Sequence, residues 1–160
     1  MRKIAFVLAL IIAPLTTVLA EEVSPYKVKN VLAGGYGGTN LMISGEGSDI
    51  LLNKILVKFD KKAKANTYKW KFKNVQVPGI SAPLSFRIYQ GVSGPNENGA
   101  SCFHGFIKDK YKDIYLNSNR PNQEKSIMIY VTRGGNYKYA LHKTEDVQAF
   151  KAYLLSIYNQ

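Results

Sequence analysis

KILVKFDKKAKANTYKWKFK, residues 54–73, is the stretch on which the fold turns. Within it Ile55, Val57 and Phe59 alternate with Lys54 and Lys58, and Tyr68, Trp70 and Phe72 alternate with Lys69, Lys71 and Lys73. A period of two marks half-buried strands, because successive side chains of an extended backbone point to opposite faces. The pattern predicts a hairpin closed by the loop 60–66, with its aromatic rings in the core. Lys54, Lys58, Lys69, Lys71 and Lys73 then share one basic sheet face. Val75 and Val77 fall on the opposite parity to Trp70 and Phe72, which implies a bulge near Asn74 or the end of the strand.

The same reading extends in both directions. Upstream, Gly34 to Gly38 separates two short strands, Tyr26 to Leu32 and Asn40 to Ser44, and Gly45 to Gly47 forms a turn. Downstream, Leu84, Phe86 and Ile88 alternate with Ser85, Arg87 and Tyr89, and the segment Gly91 to Gly99 reads as a surface loop. Cys102 to Lys108 reads as a strand covered on both sides, and Asp113 to Leu116 as a further short strand. Ile127, Ile129 and Val131 form a hairpin with Tyr137, Tyr139 and Leu141 across Arg133 to Asn136, where Gly and Asn tolerate positive φ. The period then changes. Val147, Phe150, Leu154 and Ile157 recur at helical spacing, Thr144 is placed to cap, and Glu145 and Asp146 sit where the helix dipole favours negative charge. The expected fold is mainly β (α+β), an antiparallel β-sandwich or barrel of about eight short strands, with one amphipathic helix at 144–158 closing a face or an end.

The chain starts with Met1, Arg2 and Lys3, an apolar run from Ile4 to Leu15, and small residues Val18 and Ala20 ahead of two acids. That pattern reads as a secretory leader over residues 1–20, with a single globular domain over 21–160, and the run is shorter than the ~20 residues a spanning helix needs. The expected location is therefore periplasmic or secreted, with no transmembrane segment once the leader is cleaved. Residues 21–160 hold no Asn-x-Ser/Thr site, which favours a bacterial export route. Cys102, the one cysteine, has no partner in the chain and reads as a buried small apolar residue.

A search for chemistry yields few groups. The glycines at 34–38 lack the Gly-Lys-Ser/Thr ending of a phosphate loop. Two His and one Cys fall short of the roughly four ligands of a structural zinc site, so neither a metal nor a cofactor is expected. Two enzyme readings remain: Cys102 beside His104 as an activated nucleophile, or His104 with His142 as the acid/base pair of a small ribonuclease-like hydrolase. No local signature supports the first, and nothing in the sequence brings the two histidines together.

Lysine is the prominent feature. The chain holds 22 Lys and Arg against 11 Asp and Glu, a formal charge of +11, and only Arg2 and Lys3 of the basic residues lie in the leader. A basic sheet face steers acidic partners toward it. With Tyr68, Trp70 and Phe72 turned into the core, nucleic acid is disfavoured, since single-strand binders stack bases on rings beside the charge. Tyr89, Tyr111, Tyr115 and Tyr130 stand at outward or loop positions and suit contact with protein or sugar. The expectation is an exported, non-enzymatic binding protein. Its partner would be an acidic protein or an anionic glycan or envelope surface, met by Lys54, Lys58, Lys69, Lys71, Lys73, Tyr89, Tyr111 and Tyr115.

Overall fold

A computed structural model describes residues 24–32, 37–95, 101–117, 122–133 and 141–160. The order along the chain is β1 (Lys27–Leu32), β2 (Thr39–Ser44), α1 (Glu46–Lys58), β3 (Lys69–Val75), β4 (Leu84–Pro95), β5 (Ser101–Gly105), α2 (Asp109–Asn117), β6 (Glu124–Arg133) and α3 (Thr144–Tyr158). The strands form one antiparallel six-stranded sheet in the order β1-β2-β6-β4-β3, and β5 pairs with the far half of β4. The ladder runs from β1 to β3 without closing, so the architecture is an open sheet with helices rather than a β-sandwich or barrel. Among the described residues three helices accompany it, two of them inside the chain.

The main departure from the sequence reading lies in residues 46–58, which form helix α1. Gly45 precedes it at φ 97, a backbone state that costs glycine little. Leu51, Leu52, Ile55 and Leu56 are buried along one side of the helix, and Val57, placed in the core by alternation, is 80% exposed. The buried Ser48 hydroxyl donates to the Gly45 and Lys125 carbonyls and ties the first turn to β6. Residues 109–117 are likewise a helix, not the strand expected at 113–116. Residues 91–95, expected to be a loop, continue β4, because that half of the strand pairs with both β5 and β6. There a Cβ on Gly91 would sit 2.0 Å from the His104 carbonyl oxygen, so the close β4–β5 approach requires glycine.

Other elements match the local pattern. The register of β3 on β4 shifts between Phe72 and Val75, and Asn74 takes φ 54, which is the bulge implied by the parity change. Trp70 is 6% exposed. Helix α3 buries Val147, Phe150, Leu154 and Ile157; its N-cap is Lys143 rather than Thr144, with no side-chain cap. Ile127, Ile129, Val131 and Leu141 are fully buried, whereas Tyr137, Tyr139 and the glycines at 34 and 35 lie outside the described residues. The leader also lies outside them.

One face of the sheet makes the core. Leu41, Ile43, Trp70, Phe72, Leu84, Phe86, Ile88, Ile127, Ile129 and Val131 project from it into a cluster with α1 and α3. Phe86 meets Phe150 of α3 at 5.7 Å between ring centroids, and Phe59, at the end of α1, meets Phe72 at 5.2 Å. Lys54 joins the two helices by donating to the Tyr158 carbonyl at the end of α3, where the helix dipole favours a cation. Helix α2 packs farther along the same face, where Tyr115 stacks on His104 at 5.1 Å beside Val92 and Phe106. All three helices therefore sit on one side.

Candidate binding surface

The other side of the sheet carries none of these helices, and its composition follows from strand register. Cross-strand partners share a face, so the pairs Lys29↔Met42, Met42↔Met128, Met128↔Tyr89 and Tyr89↔Lys69 join into one row across five strands. The next row holds Lys71, Arg87 and Tyr130. Lys29, Lys69 and Lys71 are exposed on the two edge strands, Tyr89 and Tyr130 are half-buried, and Met42 and Met128 are each 5% exposed. The Tyr89 and Tyr130 rings meet edge to face at 5.3 Å, and Lys69 Nζ lies 5.1 Å from the Tyr89 ring centre. The face thus has an aromatic centre over buried methionines, between two cationic margins.

Along the same face lies a polar cluster. Ser44, Ser93 and Ser126 are buried and hydrogen-bond to one another in a closed ring, Ser44 to Ser93 at 2.7 Å and Ser126 to Ser44 at 2.9 Å. Mutual pairing satisfies hydroxyls that would otherwise be costly to bury. Beside them a pocket of about 310 Å³ is lined by Lys27, Lys29, Met42, Ser44, Ser93 and Glu124, among others. Lys27 pairs with Glu124 at 2.7 Å, an exposed contact that places one acid on this otherwise basic margin.

The expected site residues separate into three groups. Lys69, Lys71 and Lys73 are exposed on β3, and Tyr89 joins Lys69 and Lys71 on the face described above. Lys54 and Lys58 are on α1, on the other side of the sheet, because no hairpin carries them; the single basic face of five lysines does not form. Tyr111 and Tyr115 are on α2, the first exposed and the second stacked on His104. In exchange, the fold recruits Lys29, Met42, Arg87, Met128 and Tyr130. Of these, only the outward parity of Arg87 and Tyr130 is visible locally.

The two histidines of the acid/base reading are not brought together. His142 Nδ1 lies 2.8 Å from the Gly37 carbonyl oxygen, next to Leu141, whose carbonyl accepts from Thr39 N–H at the start of β2. His104 pairs with Val92, which stands opposite Lys125 of β6. Leu41 stands opposite Ile129, so the two histidines are separated along the strands by some six residues, or about 20 Å. Cys102 lies on the same strand face as His104, half-buried. Among the described residues no three His, Cys, Asp or Glu side chains gather as metal ligands.

One further arrangement ties α2 down. Tyr68 donates its hydroxyl to Asp109, and that hydrogen bond, followed by burial and the charges of Asp109 and Asp113, pushes the phenol up to about 12. Tyr26 is also pushed up to about 12, chiefly by burial and then by neighbouring Tyr158. Compared with protein-family models, with curated proteins and with solved structures, the chain matches none.

Proposed function

We propose that this chain is an exported, non-enzymatic binding protein that holds an acidic partner protein on the helix-free face of its sheet. The carrying observation is the row Lys29–Met42–Met128–Tyr89–Lys69. Interface centres are enriched in Met, Tyr and Arg and depleted of Lys, while the rim stays polar and wet. Here methionine, tyrosine and Arg87 hold the middle and the lysines hold the edges. Charge at the margins speeds encounter with an acidic surface, and the half-buried Arg87, Tyr89 and Tyr130 supply contact area over a floor formed by the buried Met42 and Met128. Export rests on the basic start and apolar run of residues 1–20.

The test uses polyglutamate, heparin and single-stranded DNA as probes over a salt series. Polyglutamate should bind, with affinity falling steeply as salt rises. Changing Lys29, Lys69 and Lys71 together to Gln should weaken that binding about tenfold, whereas Lys61, Lys62 and Lys64 changed to Gln should alter it little. Equal losses from the two triple variants would mean diffuse charge rather than a face. A preference for DNA over polyglutamate would move the reading to nucleic acid, which the Tyr89 and Tyr130 rings beside Lys69 and Lys71 would then explain.

A further inference from the structure

Helix α2 and the residue pair before it concentrate exposed apolar surface to a degree unmatched by the other described elements. Of the seven exposed large hydrophobic residues among those described, four lie between 107 and 116: Ile107 at 74%, Tyr111 at 37%, Ile114 at 53% and Leu116 at 43%. No residue of α2 is buried. The helix nonetheless has a definite inner side, since Asp109 accepts from Tyr68, Lys112 Nζ lies 5.8 Å from the Tyr68 ring centre, and Tyr115 stacks on His104. Those three residues recur at intervals of three and line one side of the helix. Tyr111 and Ile114, also three apart, form a separate exposed ridge, and Ile107 extends the apolar surface ahead of the first turn. Lys108 and Lys110 are exposed beside it, with Lys110 Nζ 5.0 Å from the Tyr111 ring centre. The two acids of the helix, Asp109 and Asp113, are exposed as well, Asp109 accepting from Tyr68 on the inner side.

From this arrangement we infer that α2 is an interfacial anchor lying on an anionic lipid bilayer, with Ile107, Tyr111 and Ile114 at the headgroup boundary and Lys108 and Lys110 on lipid phosphates. Apolar residues flanked by lysines, with a tyrosine whose ring is apolar and whose tip is polar, match the composition of helices that lie in the interface plane. The charge of residues 21–160, +9 from 20 Lys and Arg against 11 Asp and Glu, is complementary to an anionic leaflet and adds to the local lysines. A partner protein fits less well. A stable protein interface engages roughly 20–30 residues a side, and this ridge offers three apolar side chains on and just ahead of a convex nine-residue helix, whereas a bilayer needs no matching groove. Among the described residues no helix is long and apolar enough to cross a membrane. This inference is independent of the sheet-face reading, because α2 packs on the opposite side of the sheet.

The experiment places a reporter in the full chain. Tyr111→Trp adds an indole on the ridge, and buried Trp70 supplies a constant background. With vesicles of phosphatidylcholine containing about a third phosphatidylglycerol, the added emission should shift to the blue and be quenched by brominated acyl chains. Pure phosphatidylcholine should give little of either. Changing Lys108 and Lys110 to Gln in the reporter background should lower partitioning about tenfold, given the contribution each basic residue makes near an anionic surface. Changing Ile107 and Ile114 to Ser should abolish the shift, with unchanged circular dichroism showing an intact fold. An emission that stays solvent-like on anionic vesicles overturns the inference. So does quenching that persists in the double-serine variant, which would mean that another segment holds the chain to the lipid.

Discussion

At the scale of single residues, Tyr68 is the most informative group, because its hydrogen bond to Asp109 joins the start of β3 to the start of α2. The neutral phenol donates to the carboxylate, so the fold favours the protonated form and raises its pKa to about 12 from an ordinary value of 10.0. Tyr26 behaves alike through burial. Between those two values the unfolded chain loses these protons first, and stability present below pH 10 is lost as pH rises toward 12. Absorbance titration at the tyrosinate band should show Tyr26 and Tyr68 ionising late, alongside a falling unfolding midpoint over that interval. Tyr68→Phe should remove one late step and increase proteolysis at Lys108 to Lys112. A single titration step near 10 for all eleven tyrosines would contradict both assignments.

At the scale of elements, the lesson lies in residues 46–59. Ile55, Val57 and Phe59 alternate, but Leu56 breaks the alternation, and Leu52, Ile55, Leu56 and Phe59 satisfy a helical period equally well. Three alternating positions interrupted by an apolar residue do not choose between periods. The deciding term is tertiary: a helix here buries Leu51, Leu52, Ile55 and Leu56 against the sheet, and Gly45 supplies its entry. At β3 and β4 the three alternating positions are separated only by Lys69, Lys71, Ser85 and Arg87, with no apolar residue to break the period, and there the strands and even the bulge at Asn74 were legible, as was the period of α3. The four-residue pattern at 113–116 was too short to choose between periods. A pair of substitutions separates the two readings. Ile55→Ala should cost about 2–5 kcal/mol in urea unfolding, as large-to-small core changes do, and Val57→Ala should stay within about 0.5 kcal/mol. Comparable losses at both positions would favour the alternating strand.

At the scale of the whole molecule, the candidate surface is assembled by pairings between distant segments. Met42 meets Met128, and Met128 meets Tyr89, through neighbours that are not consecutive in the chain. Local alternation shows which way Lys69, Lys71, Arg87 and Tyr89 face, but not what stands beside them, so the methionine centre and the second lysine margin on β1 were invisible from sequence. The misread helix also removed Lys54 and Lys58 to the other side, where Lys54 is occupied with the end of α3. That division provides the most direct test of the account. Association rates with an acidic polypeptide, measured across a salt series, should fall severalfold when Lys29, Lys69 and Lys71 become Gln, with the salt dependence flattened. They should be nearly unchanged when Lys54 and Lys58 become Gln. An equal loss in the Lys54/Lys58 variant, or no loss in the sheet-face variant, would contradict the claim that the helix-free face is where this protein binds.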